Sequence, residues 1–443
     1  MDVQVQQSFV VPAPPSEPAE EVPLTVFDLV APAYHITVLY AFTPPNPPTA
    51  ALVGALVTTL PHFPLLTARL ERRSFPDRPF FVTGEGGAGA LVVEAAVASP
   101  LSDHLPLAPS PELALLHAPV DKATPHMLLL QINRFACGGL VVASSSHHQA
   151  ADGHSMSTFF HAWVDAVRAD GAPPLDRPLP YGPAALAPRR PPPCEFEHRG
   201  AEFLPRDAAA AGAGSPPAPA PVRVDPSEIT NMLLHYTGEF VAELRAAAQN
   251  RYTTFEAVSA HVWRKITVAR GRRDDAAPTR LHVGVNGLAR LAGGGGVPRD
   301  FFGNVVLTAS TAAGAGARDV ARGGLADAAA LVRAAVRGVD RRYFQSFIDF
   351  GALHGGEELE PAVGDEDNML LPDVTANSWL HLELHRLDFG CGGRLAGILP
   401  AKLPLDGEVV LIPSLRKGGG VDVFVSLWGK HAKELEKIAY TID

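Results

Sequence analysis

Three cysteines in 443 residues, Cys137, Cys194 and Cys391, are too few and too scattered for a disulfide framework. With no Cys-x-x-Cys pair, they offer no zinc site either. Positive charge is also short. The 37 Lys and Arg stand against 47 Asp and Glu, a net charge of −10, and phosphate backbones need a basic surface, so no nucleic-acid partner is expected. Long apolar runs are missing too. Each is cut by Pro, Gly, His or charge well before the roughly 18 residues of a membrane span. The start Met1-Asp2-Val3-Gln4 lacks the basic region and apolar core of a signal peptide. These absences imply a reduced, cytoplasmic setting and no membrane partner. What remains is globular material, 47% hydrophobic and 19% charged, with an acidic surface that steers small cations.

The chain exceeds one ordinary core, so two or three domains are expected. Its 42 Pro and 40 Gly are unevenly spread, and residues 171–224 are dense in Pro, Ala and Arg. That stretch reads as a long crossover between an N-terminal domain, 1–170, and a C-terminal domain, 225–443. In the first domain Pro47 to Leu60 reads as a helix. Strands are expected around Phe80 to Val82, Leu91 to Val93 and Gly138 to Ser144. Ser157 to Ala169 has helical apolar spacing at Phe159, Phe160, Trp163, Val164 and Val167. In the second, Thr254 to Arg270 reads as a helix. Strands are expected at Leu281–Val285, Asn304–Thr308, Ser378–Leu384, Val409–Ile412 and Val421–Leu427. The elements alternate without a regular βαβ rhythm, which implies a mixed α/β (α+β) fold.

Between the strand ending near Ser144 and the helix from Ser157 lies His147-His148-Gln149-Ala150-Ala151-Asp152-Gly153. A strand-to-helix junction aims side chains into a cleft. An imidazole of near-neutral pKa suits a general base that takes a proton from an attacking amine or hydroxyl. The plain alternative is one packed and one surface histidine. A metal site at His148 and Asp152 lacks further ligands at recognisable spacing, so no metal is expected.

Other motif matches fail on context. Gly84-Glu85-Gly86-Gly87-Ala88-Gly89 fits a dinucleotide fingerprint but precedes a strand, not a helix, and reads as a turn. Asp388-Phe389-Gly390 has no kinase catalytic loop before it, and Gly153-His154-Ser155-Met156-Ser157 lacks the closing glycine of a nucleophile elbow. Gly293 to Gly296 reads as a flexible loop.

The chain resembles the plant BAHD acyltransferases along essentially its whole length. Their His-x-x-x-Asp-Gly signature is met by His148, Asp152 and Gly153. Their Asp-Phe-Gly-Trp-Gly signature is met by Asp388-Phe389-Gly390-Cys391-Gly392, with Cys in place of Trp. Phe301-Phe302-Gly303-Asn304 resembles their Tyr-Phe-Gly-Asn. Asn286-Gly287-Leu288-Ala289-Arg290 resembles Asp-Gly-Arg-x-Arg with two departures, and Phe63 to Leu70 resembles Tyr-Pro-x-x-Ala-Gly-Arg-Leu.

The resemblance implies two similar chloramphenicol-acetyltransferase-like domains with a solvent channel between them, and His148 mid-channel. It implies no bound cofactor, with a coenzyme A thioester as co-substrate, and a monomer. It makes Arg290 the expected ion-pair partner of Asp152, and the second signature a support of the domain junction away from the reacting atoms. Trp379, in the Ser378-Trp379 pair, would lie near the acyl carbonyl and steady its developing charge; a large core residue is the alternative.

Within the family the chain resembles the grass branch that N-acylates agmatine, putrescine or tryptamine with hydroxycinnamoyl groups. Pro23 to Asp28, Val38 to Phe42 and Asn377 to Leu380 carry that likeness. It places Thr37 and Tyr40 among the acceptor contacts, with Asp365, Glu366 and Asp367 as carboxylates for a cationic acceptor. A solvated acidic loop is the alternative for these three. Rival activities are O-acylation of an alcohol such as shikimate or quinate, a peptide-synthetase condensation domain, and a non-catalytic binding protein.

Overall fold

The computed structural model describes residues 1–14, 17–73, 78–205, 223–291, 296–311, 315–357, 359–362 and 372–442. The Asp365–Asp367 run and most of the Gly293–Gly296 loop lie outside them. The first half contributes β1 (Val3–Val11), β2 (Glu20–Pro23), β3 (His35–Phe42), β4 (Arg69–Glu71), β5 (Phe80–Thr83), β6 (Ala90–Val97), β7 (Leu128–Phe135) and β8 (Leu140–His147). The second contributes β9 (Ile229–Tyr236), β10 (Leu281–Asn286), β11 (Val306–Ser310), β12 (Val374–Ser378), β13 (Leu395–Pro400), β14 (Glu408–Pro413) and β15 (Val421–Trp428). Three helices bear on the site: α1 (Val26–Val30), α2 (Thr49–Thr59) and α3 (Gly153–Arg168).

Two six-stranded mixed sheets form the frame, in the orders β1-β6-β7-β8-β3-β13 and β11-β10-β12-β14-β15-β9, beside a small sheet β2-β5-β4. The first sheet corrects a division of the chain by sequence order. Its last strand, β13, comes from the second half and pairs antiparallel with β3. Residues 384–401 therefore pack into the first core, through Leu384, Leu387, Phe389, Ile398 and Leu399. Strand Ser378–Leu384 is also corrected. The strand is β12, ending at Ser378, and the chain then turns, with Leu382 N–H donating to the Trp379 carbonyl at 3.1 Å and Glu383 at φ 52°.

Helix α3 forms where expected but starts earlier. Asp152 caps it, its carboxylate accepting from Ser155 N–H at 2.9 Å. Phe159, Phe160, Trp163, Val164 and Val167 are buried. Trp163 is wholly enclosed, and its indole N–H donates to the Leu52 carbonyl of α2 at 2.9 Å. Burial of a side chain this size contributes roughly 1.5–3 kcal/mol or more. The helix stops where Asp170 and Gly171 take positive φ, with Gly171 N–H returning to the Ala166 carbonyl.

The described part of the crossover has no long regular element. It is fastened to the helix Arg341–Leu353 of the second half. Arg189 donates to Asp349 from its backbone N–H at 2.8 Å and its Nε at 2.7 Å. Among the described residues no helix is long and apolar enough to cross a membrane.

Candidate active site

Every residue of β8 is buried, and the strand runs between β7 and β3 to His147. There the chain leaves the sheet. His148 N–H donates to the Tyr34 carbonyl at 3.0 Å, and Ala150 N–H returns to the His147 carbonyl at 3.0 Å. Asp152 then opens α3. The two histidines end in different settings. His147 is 7% exposed, its ring edge-on to His35 at 5.0 Å. Burial first, then the neighbouring His35 and His148, push its pKa down to about 3, so it stays neutral. His148 keeps some accessible surface, although its Nδ1 is buried without a partner. Burial lowers its pKa below the ordinary histidine value, and the Asp152 charge offsets only part of that.

Asp152 ties the halves together. Besides Ser155 N–H, its carboxylate accepts from Val305 N–H at 3.1 Å. Ser155 Oγ donates to the Gly303 carbonyl at 2.7 Å and accepts from Gly303 N–H at 3.0 Å. The expected Asp152–Arg290 ion pair does not form. Arg290 instead donates to the Val339 carbonyl, with Asp340 as its nearby charge. Asp152 is 1% exposed and each of its oxygens accepts a backbone N–H, while the Arg290 guanidinium is engaged at the Val339 carbonyl.

Asn304 completes the lock. Its side-chain amide donates at 2.9 Å to the His148 carbonyl, the Gln149 carbonyl and Asp28 Oδ1. Gln149 in turn donates to the Asp28 carbonyl at 3.1 Å. Asp28 closes a capping box on α1 with Thr25, and burial pushes its pKa up to about 6. Asn304, Ser155 and Asp28 carry no role in the sequence reading. Only the Phe-Gly-Asn resemblance, and Asp28 at the end of Pro23–Asp28, touched them.

Trp379 follows β12, its N–H donating to the Leu411 carbonyl at 2.8 Å and its half-buried ring packed on the first core. Its loop crosses the start of α3. Ser157 Oγ donates to the Leu382 carbonyl, and a Cβ on Gly153 would meet Leu382 at 3.2 Å. The loop that begins at Trp379 thus lies against the start of α3 at Gly153, beyond His148. Thr37 is half-buried on the face of β3 that carries His35, its hydroxyl 2.7 Å from Ser145 Oγ.

Tyr40 corrects the acceptor list. It lies on the opposite face, 3% exposed and 4.5 Å from Phe160, in an apolar region with Trp163 and Phe389. It is a core residue. The second signature sits there as well. Phe389 packs on Phe42 at 4.9 Å and Trp163 at 6.1 Å, while Asp388 closes a turn by accepting from Gly390 N–H. Cys391 is exposed, so the residue at the Trp position of that signature leaves no hole in the core. Among the described residues no three ligating side chains converge as a metal site.

A profile of the Transferase family matches residues 1–441. The chain is 35% identical to tryptamine hydroxycinnamoyltransferase 2 of Oryza sativa subsp. japonica, covering 95% of this chain and 93% of that protein. It is 35% identical to putrescine hydroxycinnamoyltransferase 3 of the same plant, over 96% and 94% of the two chains. It is 34% identical to agmatine coumaroyltransferase-1 of Hordeum vulgare, again over 96% and 94%. In fold it is similar to vinorine synthase, with a TM-score of 0.69 at 18% identity over 98% and 96% of the chains. It is equally similar to F. sporotrichioides TRI101, complexed with coenzyme A and T-2, at 0.69 and 17% identity over 94% and 97%.

Proposed function

The chain belongs to the Transferase family, the BAHD acyltransferases, and from that premise we propose that it moves a hydroxycinnamoyl or related aromatic acyl group from its coenzyme A thioester to an amine such as agmatine, putrescine or tryptamine. Both substrates are small molecules. The observation that carries the reading is the state of His148: a histidine of intermediate burial, its pKa lowered by desolvation, whose backbone carbonyl is held from the opposite half by Asn304.

In the proposed step the neutral amine nitrogen attacks the thioester carbonyl carbon while His148 takes the proton leaving that nitrogen. The tetrahedral intermediate collapses with cleavage of the C–S bond. The thiolate leaves, the imidazolium returns its proton to it, and amide and coenzyme A thiol are the products. Both substrates are bound at once, because no covalent acyl-enzyme is needed. The Trp379 indole N–H has no partner among the described residues and is a donor free to steady the oxyanion.

The test mixes purified protein with p-coumaroyl-coenzyme A and agmatine, putrescine, tryptamine, shikimate or quinate, and follows free thiol. Thiol release with an amine, abolished in His148→Ala, is the expected result. Release with shikimate or quinate alone would overturn the amine assignment and make this an O-acyltransferase.

A further inference from the structure

The second sheet shows its two faces in its packing. Val409 and Leu411 of β14 belong to the second core, whereas Val410 and Ile412 pack into the first. Glu408 shares the face of Val410 and Ile412, so its side chain stands between the two halves. Burial along the neighbouring strands alternates in step. In β10, Leu281, Val283 and Val285 are buried while His282, Gly284 and Asn286 keep accessible surface. In β12, Val374 and Ala376 are buried while Thr375 and Asn377 do not close over. A polar trough therefore runs down this sheet face.

One end of the trough is the candidate active site. Asn304, bonded to the His148 carbonyl, precedes β11, whose Val306 pairs with Asn286. Trp379 lies at the same end of β12. At the other end Thr375 pairs with Glu408. Asn377 leans over Gly284, where a Cβ would come within 2.6 Å of Asn377 Oδ1. Thr375 lies two residues before Asn377, roughly 7 Å along the strand, a separation on the scale of a short diamine chain.

Glu408 has no ion-pair partner among the described residues. The Thr375 hydroxyl is its hydrogen-bonding neighbour, and burial pushes its pKa up to about 7. An acid surrounded by protein yet retaining accessible surface, without a cation, is costly to keep as pure structure. It becomes favourable when a cationic ligand supplies the missing charge. We propose that Glu408 holds the distal cation of the acceptor amine, so that the site selects diamines and guanidinoalkylamines over monoamines. The inference rests on the amine-acylating reading above and adds the residue that sets the acceptor class.

The test compares putrescine with n-butylamine, which differ at the distal group, using p-coumaroyl-coenzyme A and wild-type or Glu408→Gln protein. The wild type is expected to favour putrescine in kcat/KM by roughly ten- to a hundred-fold, the worth of one charged hydrogen bond. Glu408→Gln should erase that ratio through KM for putrescine, with KM for the acyl donor and the thermal midpoint unchanged. Wild-type protein that turns over amines without discriminating the pair, or that uses tryptamine alone, overturns the role of Glu408 without any variant. So does a variant that loses both acceptors equally. Wild-type protein inactive with every amine overturns the amine-acylating reading itself, and the role of Glu408 with it.

Discussion

His198 and His148 stand in opposite settings, one sealed inside a hydrogen-bonded cluster and the other at a strand-to-helix junction. His198 has the outline of a nucleophilic triad, with Nδ1 at 3.0 Å from Glu202 and Nε2 at 3.1 Å from Ser346 Oγ. Yet both His198 and Ser346 are wholly buried, and Tyr343, Phe347 and Phe350 enclose the ring at 5.0, 5.0 and 5.4 Å. Ser346 Oγ is further occupied by Phe196 N–H at 3.0 Å. Every polar atom there is used to fasten the crossover to the second half. His148 has the opposite profile: a residue of intermediate burial held through its backbone, with its ring Nδ1 left unbonded. The comparison teaches that unused capacity and access mark a site, and residue types at suitable distances do not.

Four outcomes test that contrast. The largest is expected at His148, where His148→Ala should lower kcat about 10²–10⁴-fold with the thermal midpoint unchanged. Ser346→Ala should do the reverse. It leaves Phe196 N–H and His198 Nε2 without their partner and should cost about 1–3 kcal/mol in denaturant unfolding, with kcat intact. A loss of kcat there at unchanged stability would mean the sealed cluster takes part in the reaction.

Asp152 lies between these cases. Asp152→Ala removes the helix cap and orphans Val305 N–H, for about 2–4 kcal/mol, whereas Asp152→Asn keeps one accepting oxygen and should lose less. Equal losses in the two variants would mean that charge, not hydrogen bonding, is what Asp152 supplies.

The smallest effect is in pH dependence. A histidine whose pKa is lowered is already deprotonated above its ordinary value, so His148 adds no limb between pH 6.5 and 9. The neutral fraction of an acceptor amine of Lys-like pKa near 10.4 grows tenfold per unit over that range. The logarithm of kcat/KM for n-butylamine, which brings no distal cation to Glu408, should then rise with a slope near one. A steeper limb breaking near pH 6.5 would return His148 to an ordinary pKa.

Much of the candidate site was legible locally. The apolar run into His147 and the helical spacing after Asp152 pointed to a strand-to-helix junction, and the structure has strand β8 ending at His147 and helix α3 beginning at Gly153. The helix expected over Thr254 to Arg270 spans Thr254–Ala269, capped by Thr253 and Glu256 in a capping box. The misplaced Ser378–Leu384 strand shows the limit. Its alternating Leu380, Leu382 and Leu384 read as a strand period, but the chain turns so that Leu380 packs on the second core, Leu382 lies against Gly153 of α3 and Leu384 enters the first core, and packing overrides the pattern. Strand β7 went unmarked because a strand buried on both faces loses the alternation that identifies it.

The sequence by itself determined the periods, the caps, the turn chemistry and the family, because each is written in residues near one another or in motifs of set spacing. Tertiary structure alone decided which partners those residues take. Val305 rather than Arg290 meets Asp152 across 153 positions, and β13 crosses back to β3. Tyr40 turns into the core while Glu408 turns into the cleft. The reason is physical. A strand states that its side chains alternate, but which face is dry depends on what the rest of the chain lays against it.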